Sequence, residues 1–274
     1  MYPISNATIF VLIFNVVIST AIPILLFIIF KRRFGCAVRP FFYGAATFVL
    51  FALVLEQAVH LLVLRSALGV TIGQNAWLFA LYGGIMAGVF EESGRLVVFS
   101  TLLKKRMDND RDALMFGAGH GGIEVIAVFT AAMVINLVYA ISLSLGKEAV
   151  MLASMEGERL ALTQAIFTTL SVTPPPLYLV GLIERVIAVV LHLSFSVLVW
   201  TAVKEGKIKY FWLALFLHAA VDMVAVLMSR TGVSIMIIEV VVALFALLAA
   251  LLAHRAYRAL RLSPQMETSV EVPE

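Results

Sequence analysis

Cysteine is almost absent from this chain of 274 residues, in which Cys36 is the single example. A single thiol excludes a disulfide within the chain and a cysteine-rich metal site. A cysteine nucleophile is also not expected, because no histidine lies at the same depth to act as its base. Charged residues are also scarce at 14%, whereas 62% of the residues are hydrophobic and the mean hydropathy is +1.03. This balance excludes a soluble domain and predicts a polytopic membrane protein.

Long hydrophobic runs account for most of the sequence. A helix needs about twenty mostly apolar residues to cross the hydrocarbon of a bilayer. Seven stretches are long enough, and we predict a transmembrane helix in each of them: 6–30, 40–64, 77–103, 113–145, 177–203, 210–228 and 232–253. The expected fold is therefore an all-α, seven-helix membrane domain over residues 1–261, followed by a disordered polar tail over residues 262–274.

Basic residues are distributed unevenly between the two ends of these spans. Fourteen of the twenty lie at one end, which we call the basic end: Lys31, Arg32, Arg33, Arg39, Lys104, Lys105, Arg106, Arg111, Lys204, Lys207, Lys209, Arg255, Arg258 and Arg261. Positively charged loops face the cytosol, so we expect the N-terminus outside and the C-terminus in the cytosol. The pI near 9.1 reflects these loops, which suit an anionic lipid surface and not a nucleic acid.

Eight ionisable side chains interrupt the predicted spans at nearly one depth. They are Glu91, Glu92, Arg95, His120, Glu124, His192, His218 and Asp222. A helical rise of about 1.5 Å per residue puts them roughly 13 to 20 Å from the basic end, in the cytosolic half of the bilayer. An ionisable group in lipid costs at least a few kcal/mol, so such a layer predicts a reaction site or an ion pathway. The spans that contribute to it lie within residues 77–145 and 177–228.

Residues four apart share one face of a helix, and three pairs in this layer have that spacing. They are Glu91 with Arg95, His120 with Glu124, and His218 with Asp222. Two glycine pairs have the same spacing: Gly84 with Gly88, and Gly117 with Gly121. Small residues let helices approach closely, so we expect the carboxylates of the third span to meet the histidines of the fourth.

Hydrolysis of a peptide bond is one chemistry that this layer can perform. It requires a base that activates water and donors that stabilise the oxyanion. Glu91 or Glu92, held ionised by Arg95, is the candidate base. The histidines are the candidate oxyanion donors, and neighbouring carboxylates would orient them. The predicted catalytic residues are Glu91, Glu92, Arg95, His120, His218 and Asp222, with Glu124 and His192 in supporting positions.

Zinc binding is the second chemistry that these side chains allow. Several imidazoles and a carboxylate can hold one zinc ion, which activates its bound water. The candidate ligands are His120 and His218, joined by His192 and by Glu91 or Glu92. The residue types alone leave both mechanisms open, with one zinc ion or with no metal.

Three motifs in this layer resemble those of a known superfamily. Phe116-Gly-Ala-Gly-His120 matches the FxxxH motif, and His218-Ala-Ala-Val-Asp222 the HxxxN/D motif, of the CAAX prenyl protease and bacteriocin-processing superfamily, also called the abortive-infection family. Glu91-Glu92-Ser-Gly-Arg95 resembles its paired-glutamate motif. The combination EExxR, HGGxE and HxxxD looks closest to the YhfC branch, a bacterial family expected to contain membrane peptidases. The resemblance covers the third to the sixth span.

This resemblance implies roles for several of these residues. One glutamate of the first motif activates water, and His120, His218 and Asp222 complete the site. The superfamily usually has three residues between the glutamate pair and the arginine, whereas this chain has two. The resemblance therefore leaves the choice between Glu91 and Glu92 open.

We expect an intramembrane protease of the bacterial cytoplasmic membrane, whose site opens toward the cytosolic half and which cleaves a hydrophobic or membrane-anchored peptide. A transporter or proton-coupled permease is the main alternative, because layers of carboxylates and histidines also relay ions. A scaffold without turnover, such as an immunity or assembly factor, is a third hypothesis. A protease requires Glu91 or Glu92, His120 and His218 to converge on one water-sized space.

Overall fold

The computed structural model describes residues 2–262, and the helices in this part of the chain confirm the predicted all-α class. The predicted tail lies outside the described residues, apart from Leu262. The helices are α1 Asn6–Phe34, α2 Arg39–Leu64, α3 Ala67–Gln74, α4 Ala76–Thr101, α5 Asp112–Ser144, α6 Glu148–Leu152, α7 Gly157–Val172, α8 Leu177–Glu205, α9 Lys209–Arg230 and α10 Ile235–Leu262.

Six of the seven predicted spans, α1, α2, α5, α8, α9 and α10, are long and apolar enough to cross a membrane. The chain is therefore a multi-pass membrane protein. The seventh predicted span is α4, a helix of 26 residues. It is not among the six because three charged residues, Glu91, Glu92 and Arg95, interrupt its hydrophobic run. Its role as a span, and the orientation of the bundle, stay predictions.

Two of the long helices contain a π-helical stretch, in which each turn holds more residues than in an α-helix. In α2 the stretch is Val49–Glu56, and in α5 it is Val125–Thr130. The second one begins immediately after Glu124. The part of α5 before it packs on α1, α2 and α8, whereas the part after it packs on α1 and α7.

Glycines let several helices pack backbone to backbone. Gly84 and Gly88 of α4 lie against α9, and Gly117 and Gly121 of α5 lie against α8. A Cβ atom on Gly84 would be 2.3 Å from the carbonyl oxygen of Ala219. We expected these glycines to bring the third and fourth spans together, and this prediction is wrong: the glycines of α4 contact α9, and those of α5 contact α8. The spacing fixes the face on which the glycines lie, but it does not determine which helix that face meets.

An alanine at Gly119 should destabilise the contact between α5 and α2. Its Cβ would lie 1.9 Å from the backbone oxygen of Phe41, so the two helices must separate. We expect the free energy of unfolding in detergent to fall by about 1–3 kcal/mol. Gly83→Ala is the matched control, because a Cβ there meets nothing within 4 Å and the change raises helix propensity. Equal stability of the two variants would contradict the close packing.

Four large aromatic side chains fill the space between the ionisable layer and the basic end. We call this cluster the aromatic plug, and it consists of Phe99, Phe116, Phe195 and Trp200, all buried. The ring centroid of Phe99 is 4.5 Å from that of Phe116 and 5.3 Å from that of Trp200. Each residue lies on the basic side of the ionisable residues of its own helix, so the plug separates the layer from the basic loops.

Candidate active site

Glu91 lies at the centre of the ionisable layer, and residues from three other helices face it. His120 Nε2 of α5 is 2.8 Å from Glu91 Oε2, and His192 Nδ1 of α8 is 3.8 Å from the same oxygen. His218 Nε2 of α9 is 4.0 Å from Glu91 Oε1. Arg95, one turn along α4, places Nη2 3.7 Å from Oε2. The predicted convergence of the third-span carboxylates on the histidines is confirmed.

Glu92 lies behind Glu91 and holds two of these groups in place. Its side chain is fully buried, and its Oε1 accepts hydrogen bonds from Arg95 Nη1 and from His218 Nδ1, the latter at 2.6 Å. Arg95 Nη2 donates to His192 Nδ1 at 2.7 Å. Glu92 thus fixes Arg95 and His218 directly, and it fixes His192 through Arg95.

A second set of charged residues lies behind His192 and His218. His192 Nε2 contacts a carboxylate oxygen of Glu124, and Arg185 Nη1 donates to the other at 2.7 Å. Asp222 Oδ2 is 3.4 Å from His218 Nε2. Depth and spacing singled out Glu124 and Asp222, but they did not assign a role to Arg185. The missed signal is that Arg185 and His192 are seven residues apart and share one face of α8.

A cavity of about 140 Å³, which we call the inner cavity, borders this layer. Its polar lining consists of Glu91, Glu124, Glu184, Arg185, His192, His218, Asp222 and Glu239. Glu91 lines the cavity, whereas Glu92 contacts it only through its neighbours. The cavity runs from the layer away from the basic end, opposite to the direction predicted from the sequence. The aromatic plug is the physical reason, because it fills the space between the layer and the basic end.

The layer holds more acidic than basic charge. Four carboxylates, those of Glu91, Glu92, Glu124 and Asp222, stand against the guanidinium groups of Arg95 and Arg185. Buried carboxylates without a counter-charge are costly, so protons on the carboxylates or the histidines, or a bound cation, must balance them. The charge of the site therefore suits a divalent cation.

Three of the residues are arranged so that they could bind one metal ion. A ligand atom from each of Glu91, His120 and His192 lies within 4.8 Å of the other two. His192 also contacts Glu124, the outer-shell carboxylate that metal-binding histidines commonly have. His120 Nδ1 is buried without a hydrogen-bond partner in the described structure. The set contains three of the candidate ligands predicted from the sequence, but it does not contain His218. Its nitrogen and oxygen donors are those that zinc prefers.

Comparison with known proteins gives two matches. A family model described as YhfC intramembrane metalloprotease matches residues 18–246. The "Uncharacterized membrane protein YhfC" of Bacillus subtilis (strain 168) is 34% identical over 229 residues, which cover 83% of this chain and 88% of that protein. No solved structure matches.

Proposed function

This chain belongs to the YhfC intramembrane metalloprotease family, and on that premise we propose that it hydrolyses a peptide bond of a hydrophobic or membrane-anchored substrate. The observation that carries the proposal is the convergence of Glu91, His120 and His192, from three helices, beside the inner cavity. A peptide segment that already lies in the bilayer could reach this depth without transfer from water.

Glu91, His120 and His192 would hold the metal. Because Glu124 contacts His192 Nε2, the metal would use the lone pair of Nδ1 and replace the hydrogen bond from Arg95 there. The excess of carboxylates and the unpartnered Nδ1 of His120 support this assignment. A divalent cation bound there would polarise the scissile carbonyl group and make water a stronger nucleophile. Glu92 and Glu124 act through the histidines, which they hold at His218 Nδ1 and His192 Nε2.

His218 moves a proton at Nε2. Its Nδ1 is held by Glu92 at 2.6 Å, so Nε2 is the nitrogen that faces both Glu91 and Asp222. A general acid must reach the leaving amine, and His218 lines the inner cavity where a substrate would bind. Asp222 Oδ2, 3.4 Å from Nε2, would stabilise the positive charge of the protonated ring. We assign His218 as the general acid, Glu92 as the residue that positions it and Asp222 as the residue that stabilises its charge.

Burial strengthens these electrostatic effects. Arg95 is fully buried, and its two terminal nitrogens donate to Glu92 and His192. Charged groups interact more strongly in such a medium than in water, and preorganised groups need no rearrangement during the reaction. Arg95 is therefore a positioning residue that orients Glu92 and His192 on either side of it.

Metal content tests the assignment directly. We expect the detergent-purified protein to bind one divalent metal ion, and we expect a His120→Ala, His192→Ala double variant to lose it. Loss of an outer-shell partner alone weakens metal affinity by about 10–100-fold, so removal of two ligands should exceed that range. Elemental analysis after dialysis against a weak chelator measures the stoichiometry.

His254→Ala is the control for this experiment, because His254 is exposed on α10 and outside the layer. It should retain the metal fully. Full occupancy in the folded double variant would overturn the ligand assignment. Absence of metal from the wild-type protein, after incubation with zinc, would overturn the proposed metal mechanism.

A further inference from the structure

A second cavity continues from the inner cavity toward the end of the bundle opposite the basic loops. This outer cavity has a volume of about 380 Å³. It shares four lining residues with the inner cavity: Glu184, Ala225, Ile238 and Glu239. It then reaches Ser229 and Arg230, which are exposed at the end of α9. Arg230 is twelve residues beyond His218, so the two cavities together span about 18 Å of the helix.

Charged side chains of both signs lie along this route, namely Glu184 and Glu239 with Arg185 and Arg230. The side chain of Glu184 is 41% exposed and contacts Arg185. Arg185 donates to Glu124, and Glu124 contacts His192. Charged groups thus follow one another in direct contact from the surface of α8 to a candidate metal ligand.

Glu239 lies where the two cavities join. The residue is only 7% exposed, and its buried Oε2 has no hydrogen-bond partner within the described structure. A buried carboxylate oxygen without a partner is costly unless water or a cation satisfies it. The inner cavity has room for several water molecules, since one water needs about 10–15 Å³ of accessible space.

We propose that the two cavities form one aqueous passage, through which water and hydrated divalent cations reach the site from the end of the bundle opposite the basic loops. Glu184 and Glu239 attract the cation along this passage. The aromatic plug blocks the other direction. The entry of cations rests on the proposed function, because the passage would supply the metal of that site. The entry of water does not depend on it.

Cysteine labelling from each side of the membrane tests the passage. The background is Cys36→Ser, a mild change because the thiol is buried and donates to the backbone oxygen of Arg111. Burial also raises the pKa of the Cys36 thiol to about 11, so the native cysteine reacts little. Ala225→Cys places a thiol where both cavities meet. The probe is a membrane-impermeant cationic methanethiosulfonate, applied to sealed vesicles of either orientation.

Two exposed positions report the side from which the reagent acts, Lys105→Cys at the basic end and Lys147→Cys at the opposite end. Ala225→Cys should react from the same side as Lys147→Cys. Val199→Cys, buried beside the aromatic plug, should stay unlabelled from both sides. Reaction of Ala225→Cys from the Lys105 side, or no reaction while both markers react, would overturn the passage.

The rate of zinc uptake tests the entry of cations separately. Glu239→Gln should slow zinc uptake by the metal-free protein several-fold and leave the final stoichiometry unchanged. Unchanged uptake, or loss of bound zinc, would overturn the role of Glu239 as a conducting group. If the wild-type protein binds no zinc, the metal mechanism fails, whereas sided labelling of Ala225→Cys would still establish a water passage.

Discussion

A Glu91→Gln variant should lose at least about 100-fold in the rate of peptide cleavage while it remains folded, because loss of a metal ligand should exceed the roughly 10–100-fold effect of losing an outer-shell partner. Glutamine has nearly the same shape as glutamate, but it cannot carry the negative charge that faces three histidines. The measurement is cleavage of a pool of transmembrane peptides in liposomes, with new termini identified by mass spectrometry.

Glu92→Gln is the informative comparison, since the two glutamates are adjacent in sequence and differ in what they contact. Glu92 does not line the inner cavity, so we expect this variant to retain its metal and to change stability more than metal binding. Glu158→Gln, on the exposed face of α7, controls for the loss of a carboxylate as such. Normal cleavage by Glu91→Gln, with complete loss of cleavage in Glu92→Gln, would show that Glu92 and not Glu91 is the glutamate of the reacting site.

An Arg95→Met variant should be less stable than the wild-type protein by about 3–5 kcal/mol, the usual effect of removing one partner from a buried ion pair. Methionine fills a similar volume but leaves the fully buried Glu92 without its counter-charge. It also removes the donor to His192 Nδ1. Equilibrium unfolding in mixed detergent micelles, followed by the circular dichroism of the helices, measures the loss.

A second substitution separates lost charge balance from lost packing. Arg95→Met combined with Glu92→Gln removes both partners, so it should be more stable than Arg95→Met alone. Arg258→Met, exposed at the basic end of α10, should change stability by no more than about 0.5 kcal/mol. If Arg95→Met were as stable as Arg258→Met, the buried ion pair would have no structural role.

The ends of the long helices could be predicted from the sequence because charged loops bound each hydrophobic run. The span predicted at 177–203 is Leu177–Glu205, and the one predicted at 210–228 is Lys209–Arg230. The depth of the ionisable layer could also be predicted, since a helix converts residue number into distance along its axis. Depth therefore identified the side chains that meet around Glu91.

Direction around the helix axis could not be predicted in the same way. Glu91 and Glu92 have almost the same depth, yet packing turns one toward the inner cavity and the other toward Arg95 and His218. The choice of His192 over His218 for the metal group also depends on how α8 and α9 are rotated. These rotations result from contacts between helices that the spacing of residues in one helix does not specify.

The π-helical stretch of α5 divides one continuous helix into two independent registers. Extra residues within its turns rotate everything beyond Thr130 relative to His120 and Glu124, so no single helical wheel describes both halves. Both halves pack on α1, but the half that bears the site also packs on α2 and α8, whereas the other half packs on α7. Substitutions at the contact between the outer half and α7 should therefore leave the alignment of His120 unchanged.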